Sequence, residues 1–387
     1  MTIDAQAIDV VLFASDALDS TEELTLGMRE IRKRLPQIRR WYAMHGNATP
    51  ATDFPAWSDA PWVLVILDPA LLVSDNLLAE LLALTNDGAL CALPADPRGC
   101  APGMQLDYAS RPGFDRFVAR LAHGPRRADY DNREPWVYLV ARDALLELGS
   151  RQAGLSWSAV PALLGTRTAI AYHAFVHSFA HYHSSTRSEM LRLLPADTRQ
   201  LLDVGGGNGN FARTFMAERG GQATLLESNP RAAAVARDQG VDVLVGDFLS
   251  MAVTARFDAV ALLDVLEHLA EPLAALVKAR QVLRPGGVLL LSVPNMGHWS
   301  VVWDLLEGKF DYQPVGILCN THLRFFTRHG LESLIADAGF RVERWENVSS
   351  PPPQTFASFL ETRLTPGVAP DLESLRTESF HVLARRD

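Results

Sequence analysis

The stretch LLDVGGGNGNFA, residues 201–212, decides how this chain is read. Strand-like residues, Leu201 to Val204, run into glycines at 205, 206, 207 and 209, and the helix-like run NFARTFMAERG follows at once. A strand that ends in glycines and turns straight into a helix leaves bare N–H groups at its carboxyl end, where a ligand can touch the main chain. Downstream the pattern repeats. ATLLE (223–227) reads as a strand, and PRAAAVARDQG (230–240) as a helix that opens at Pro230 and closes at Gly240. VDVLVGD (241–247) and FDAVALLD (257–264) read as strands, 265–283 as a helix and GGVLLLSV (286–293) as a strand. After an aromatic-rich segment come a helix, RHGLESLIADAG (328–339), and two strands, FRVERWENV (340–348) and ESFHVLARR (378–386). Apolar strands alternating with helices predict a parallel sheet covered on both faces. The last two strands are expected to form the antiparallel edge pair of a seven-stranded, Rossmann-like sheet.

The first 165 residues alternate too. IDVVLFASD (8–16) and PWVLVILDP (61–69) read as strands, and STEELTLGMREIRKRL (20–35) and SDNLLAELLALTND (74–87) as helices, but no glycine loop accompanies them. The segment 168–194, TAIAYHAFVHSFAHYHSSTRSEMLRLL, predicts one or two helices. The expected architecture is therefore α/β throughout: a smaller α/β domain over 1–165, then a unit over 166–387 with a helical lead-in (166–198) and a cap (296–326).

Composition narrows the class. A chain of 387 residues suggests two domains, and 48% apolar with 21% charged residues suits a globular core. A net charge of −9 argues against a general nucleic-acid surface. Cys91, Cys100 and Cys319 stand in no metal-ligand spacing and suggest no disulfide framework, which fits a reducing compartment. The start, MTIDAQAIDV, lacks a signal-peptide pattern, and WVLVILDPALLV (62–73) is interrupted by Asp68 and Pro69 and too short to span a bilayer. The expectation is a cytoplasmic protein with no membrane or nucleic-acid partner, acting on a small molecule, and compatible with a homodimer.

Dinucleotides and S-adenosylmethionine are the two ligand classes held by such a loop. A dinucleotide fingerprint asks for G-x-G-x-x-G. Here its third place is Asn210, and the spacing present is G-x-G-x-G at 205, 207 and 209. Glu227, at the end of the second strand, suits a ribose diol in either class. Asp247, at the end of the third, can accept from an adenine amino group. DVLEHL (264–269) ends the fourth strand, and LRPGGVLLLSVPN (283–295) turns into the fifth.

In order and spacing, LLDVGGGNG, LLESNP, VGDF, DVLEHL and LRPGGVLLLSVPN resemble the class I S-adenosylmethionine-dependent methyltransferases over about residues 180–387. HYHSSTRSEMLRLLP and the run from MGHWSVVWDLLEGKF to LIADAGF are similar to a subgroup of bacterial glycan and secondary-metabolite pathways, related to the ubiquinone-biosynthesis O-methyltransferases. The resemblance implies roles. Asp203 orients the loop near the methionine end, and Gly205 and Gly207 admit the cofactor. Glu227 with Ser228 takes the ribose hydroxyls, and Asp247 with Phe248 the adenine. Tyr182 and Arg187 close over the methionine moiety, with Asp264 at the same end. Two departures stand out. Gly206 replaces a common cysteine, a change expected to be harmless, and Cys319 replaces an acid before THLRFFT.

The sulfonium is already reactive, so the protein must align an acceptor and, for a hydroxyl, take its proton. His268, with Glu267 beside it, is the candidate catalytic pair. Asp264, Glu267 and His268 could instead hold a divalent ion, as some of the related ubiquinone-pathway enzymes do, though no metal is the favoured expectation. His173, His177 and His181, with His183 nearby, read as a polar helix face. Trp299, Trp303, Tyr312, His322 and Phe326 are expected to wall a substrate cap. The favoured reaction is methylation of a hydroxyl on a sugar-derived or secondary-metabolite acceptor. N- or C-methylation, and a non-catalytic cofactor-binding partner protein, are the alternatives. In the first half, WVLVILDPALLVSDNLLAELLALT resembles the core of a GT-A glycosyltransferase but lacks a D-x-D motif, with Asp68 alone. This implies a degenerate accessory domain.

Overall fold

The structure, a computed structural model, describes residues 8–13, 31–38, 40–44, 59–67, 71–97, 111–121, 123–152, 154–178, 185–313, 316–363 and 370–386. The chain divides into two compact units, one holding residues 1–106 and 114–180 and the other 107–113 and 181–387.

The first unit carries strands β1 (Ile8–Phe13), β2 (Arg40–Met44), β3 (Trp62–Ile66), β4 (Leu71–Val73), β5 (Cys91–Ala95), β6 (Arg127–Asp129), β7 (Val137–Ala141) and β8 (Thr168–Ser178). They form one mixed sheet in the order β2-β1-β3-β7-β5-β8-β4, with β6 also beside β8. β1 runs parallel to β2 and β3, whereas β7 is antiparallel to both of its neighbours. Val10, Val11, Val63, Leu64, Leu139 and Val140 are all fully buried. Consecutive apolar residues buried in one strand require cover on both faces of the sheet. The helix Leu77–Asn86 supplies part of that cover through Leu77, Leu81 and Leu84.

Residues 168–178 correct the expected helical lead-in and the boundary at 165/166. The segment is strand β8, parallel to β5 and antiparallel to β4 and β6. Ala169, Ile170, Ala171, Ala174, Phe175 and Val176 are buried in this first unit. The histidine spacing misled because a step of four residues returns to the same face in a helix and in a strand alike. His173 and His177 lie on β8, where burial pushes the His177 ring down to about 4. His181 and His183 lie outside the described residues. So does Asp68.

In the second unit, β9 (Gln200–Val204), β10 (Gln222–Glu227), β11 (Asp242–Val245), β12 (Phe257–Leu263), β13 (Leu283–Pro294), β14 (Phe340–Ser349) and β15 (Thr377–Arg386) form the expected seven-stranded sheet. Its order is β11-β10-β9-β12-β13-β15-β14. All pairings are parallel except those of β15, which is antiparallel to β13 and β14. From β9 the chain steps to β10 and β11 on one side, then returns to place β12 on the other. The carboxyl ends of β9 and β12 therefore flank a switch-point crevice, the place where open parallel sheets bind ligands. The expected helix 265–283 is broken: Leu266–His268 is a 3-10 turn, and the α-helix spans Pro272–Val282. Pro272 explains the break, because the residue before a proline is driven out of helical backbone.

Candidate active site

The glycine loop has the backbone its sequence demanded. Gly205 and Gly207 have φ of 69° and 57°, a region costly for residues with a Cβ. Glu227 ties this loop to the next one: its carboxylate accepts from the Gly207 amide at 2.9 Å and the Asn229 amide at 2.8 Å. The Ser228 hydroxyl is 3.4 Å from the same carboxylate. A carboxylate has roughly four acceptor directions, so capacity remains for a diol.

Asp203 is buried and supports the loop from below. It accepts from the Ala212 amide in the first turn of the helix Asn210–Arg219. Burial pushes its carboxyl up to about 7, opposed by that amide and reinforced by the charge of Glu227. Glycine suits position 206: a Cβ there would lie 2.2 Å from Asp203 Oδ2. Asp247 is exposed at the end of β11, and its Oδ1 accepts from the Ser250 amide at 2.9 Å. Phe248 departs from its expected adenine contact. Its side chain is 4% exposed, packed in the core beneath the Lys278 ammonium, so any contact with adenine would have to come from its backbone. Tyr182 lies outside the described residues.

On the far side of the switch point, Asp264 ends β12 in left-handed backbone, φ 54°. Its carboxylate pairs with Arg187 and accepts from the Ser292 hydroxyl, while its amide donates to Ser292 O at 3.0 Å. The 3-10 turn that follows presents Glu267 and His268. The Glu267 carbonyl accepts from the Leu323 and Arg324 amides at 2.7 and 3.0 Å, which pins the 319–326 segment onto this turn. That pinning brings His322 to His268: the rings meet edge to face with centroids 4.7 Å apart.

This cluster is electrostatically tense. Glu267 is 1% exposed, and its Oε2 has no hydrogen-bond partner among the described residues. Burial pushes the carboxyl up to about 8, against the pull of Arg187. His322 is 6% exposed and held down to about 4, first by burial and then by His268. Each ring sets its Nδ1 against a backbone carbonyl, Ile317 O at 3.0 Å for His322 and Thr321 O at 3.3 Å for His268. A carbonyl only accepts, so Nδ1 of each ring carries a proton.

A cavity of about 580 Å³ opens beside this cluster, lined by Arg187, Asp264, Pro294, His322, Glu346, Glu378 and His381 among others. None of Gly205, Gly207, Glu227 or Asp247 lines it. The cavity lies at the β12–β15 side of the sheet, whereas the glycine loop and Glu227 stand at the carboxyl ends of β9 and β10. Asp264 and Arg187 stand at the cavity's edge nearest the switch point.

Of the expected cap residues, only His322 lines the cavity. Trp299 is 1% exposed and packs with Trp303 and Phe356 in a separate apolar cluster, its Nε1 donating to Ser350 O at 2.9 Å. Phe326 is buried in the core of the sheet, and Tyr312 is exposed. The helix Trp299–Leu306 turns its large rings inward, so aromatic content marked packing and not a pocket. Cys319 is buried with Sγ 3.1 Å from Thr321 Oγ1. The cavity residues that sequence reasoning missed, Glu346, Glu378 and His381, stand on β14 and β15. Glu346 belongs to a strand of mixed polar and apolar residues, and Glu378 and His381 stand near the start of β15, a pattern that carries no sequence signal for a cavity.

Residues 178–344 match a family profile described as a methyltransferase domain. A ubiquinone biosynthesis O-methyltransferase from Cereibacter sphaeroides is 32% identical over 157 residues, 38% of this chain and 62% of that protein. Another of the same name from Xylella fastidiosa is 27% identical over 191 residues, 45% of this chain and 76% of that one. The chain therefore spans about three fifths of the first relative's length. Among solved structures, a S-adenosylmethionine-dependent methyltransferase from Archaeoglobus fulgidus aligns with TM-score 0.39 and 16% identity, over 54% of this chain and 98% of that one. Among the described residues, no helix is long and apolar enough to cross a membrane.

Proposed function

We propose that this chain, whose C-terminal half is a class I S-adenosylmethionine-dependent methyltransferase domain, transfers the sulfonium methyl to a hydroxyl of a small polar acceptor. The observation that carries this reading is the arrangement at the switch point: a left-handed glycine loop tied to Glu227 at the ends of β9 and β10, and a cavity beside the end of β12. Methyl transfer needs two ligands meeting in line at one point, and the cavity beside the end of β12 gives the second of them a place next to the cofactor loop. Gly205, Gly207, Glu227, Ser228 and Asp247 are the residues for the cofactor. Arg187, with the ring of charged groups around it, orients the acceptor.

The proton released from the hydroxyl goes to the Glu267–His268–His322 cluster. With Nδ1 protonated on each ring, Nε2 of His268 or His322 is the basic atom. The relatives' names point to ubiquinone biosynthesis; here most of the residues that line the cavity are charged or polar types. The charged side chains among them, such as Arg187, Arg192, Glu346 and Glu378, support a sugar-derived or secondary-metabolite acceptor with hydroxyls to bind, while the apolar atoms that make up most of the lining surface accommodate an apolar part of it. The first unit is read as an accessory domain.

The test is mass spectrometry of a metabolite pool incubated with the full chain and methyl-labelled S-adenosylmethionine. A labelled polar product supports the reading. Tight cofactor binding with no labelled product would point to the binding-only alternative.

A further inference from the structure

We infer that Glu267, His268 and His322 together form a site for a divalent transition ion of the zinc class, with His322 in the place that the family resemblance reserves for Asp264. The resemblance implied an ion held by Asp264, Glu267 and His268, and that set does not fit. Both Asp264 oxygens are taken, one by the Ser292 hydroxyl and one by Arg187. An ion there would have to displace a guanidinium already in contact.

The alternative set is built for ligation. One ligand atom each from Glu267, His268 and His322 lies within 4.8 Å of the other two. Glu267 is 1% exposed, yet its Oε2 meets no donor among the described residues. A buried carboxylate oxygen without a partner carries an uncompensated desolvation cost, which a cation would offset. Each imidazole is oriented by an Nδ1–H to a backbone carbonyl, the outer-shell arrangement that ligating histidines usually have.

The chemistry of the donors selects the ion. Two imidazole nitrogens and one carboxylate suit zinc and its first-row neighbours, whereas magnesium prefers an all-oxygen shell. Three protein ligands leave a tetrahedral ion one open position. His322 lines the cavity, so that position is within reach of an acceptor hydroxyl. A bound ion lowers the pKa of such a hydroxyl, the task otherwise left to a histidine. Only this last consequence rests on the methyl-transfer reading; occupancy of the site does not.

The test is equilibrium dialysis of the full chain against zinc chloride alone and magnesium chloride alone, with cobalt(II) absorption as a report on tetrahedral geometry. One zinc per chain, a tetrahedral cobalt spectrum and weaker magnesium uptake are expected. His268→Ala, at an exposed position, and His322→Gln should each weaken zinc binding by at least about 100-fold, while Asp264→Asn changes it less than about threefold. Thermal melts establish that each variant is folded, and His268→Ala decides the matter should His322→Gln not fold. Absence of stoichiometric zinc, zinc uptake unchanged in His268→Ala, or loss of the site in Asp264→Asn overturns the inference. Failure of methyl transfer by zinc-loaded protein would instead sink the activity reading and leave the site standing.

Discussion

Arg187 and Asp264 form an ion pair in which both partners hold left-handed backbone, with φ of 50° and 54°. Among the described non-glycine residues only Asn132 shares that region. Such backbone costs on the order of 1–3 kcal/mol per residue and persists where surrounding contacts over-determine it. Here the pair itself and the double attachment of Asp264 to Ser292 supply those contacts. Strained, mutually locked residues at a switch point are what a site needs that must present charge at one fixed place.

Arg187→Ala is expected to lower methyl transfer at least about tenfold, because it removes the cation at the cavity's edge. Stability should fall only by roughly 1–3 kcal/mol, the range for a charged hydrogen bond, since Ser292 still holds Asp264. Label transfer from S-adenosylmethionine and a thermal melt of the same preparation separate the two effects. A fully active variant contradicts the role given to Arg187.

Glu227→Ala should weaken binding of S-adenosylhomocysteine by roughly 10- to 100-fold, the loss of charged bonds to two ribose hydroxyls at about 1.4 kcal/mol per decade. The carboxylate also holds the Gly207 and Asn229 amides, so the melting temperature should fall as well. Calorimetry at a temperature where the variant is folded isolates the binding loss. Unchanged affinity there removes Glu227 from the cofactor site.

Gly206→Ala places a methyl 2.2 Å from a buried Asp203 oxygen, although the backbone at 206 is not left-handed. A loss of about 1–3 kcal/mol is expected from overpacking. Because the clash is with one side chain, Gly206→Ala and Asp203→Ala should be strongly non-additive in urea unfolding. Simple additivity would show that the loop relaxes around the new methyl.

His298 is fully buried, and its ring is held down to about 4, chiefly by burial and against the raising effect of Ser350 O. Its folded pKa lies below the unfolded value of about 6.5, so the unfolded chain binds the extra proton. The sign follows: its contribution is complete above about pH 6.5 and is lost as pH falls toward 4, by up to about 3 kcal/mol. Urea unfolding at a series of pH values should show this slope, and His298→Gln should flatten it. An unchanged slope in the variant assigns the acid sensitivity elsewhere.

A fragment that starts at residue 166 takes β8 away from its sheet and leaves Ile170, Phe175 and Val176 without their core. It should aggregate, whereas a fragment starting at 181 should be soluble and bind S-adenosylhomocysteine. Light scattering and calorimetry compare the two. A well-behaved 166 fragment would mean that β8 does not need the first unit's sheet to stay in solution.

The cofactor half of this protein was legible in its sequence because it is local. A strand, a glycine turn and a helix occupy one short window, and the acids that end β10 and β11 follow at regular intervals along the chain. The seven-stranded sheet with its antiparallel edge pair, the left-handed glycines and Glu227 at the end of β10 all came out as that spacing required. Residues 168–178 were misread because histidines four apart satisfy a helix and a strand equally. The cap was misread because aromatic rings announce burial without saying which cavity or core they fill; Trp299 and Phe326 went to cores. The cavity half was decided only in three dimensions. Arg187 meets Asp264 and His322 meets His268 across long stretches of chain, through main-chain bonds such as Leu323 N to Glu267 O that any sequence can make. Backbone hydrogen bonds and burial carry no residue code. Which ionisable groups they force together is therefore settled by the fold.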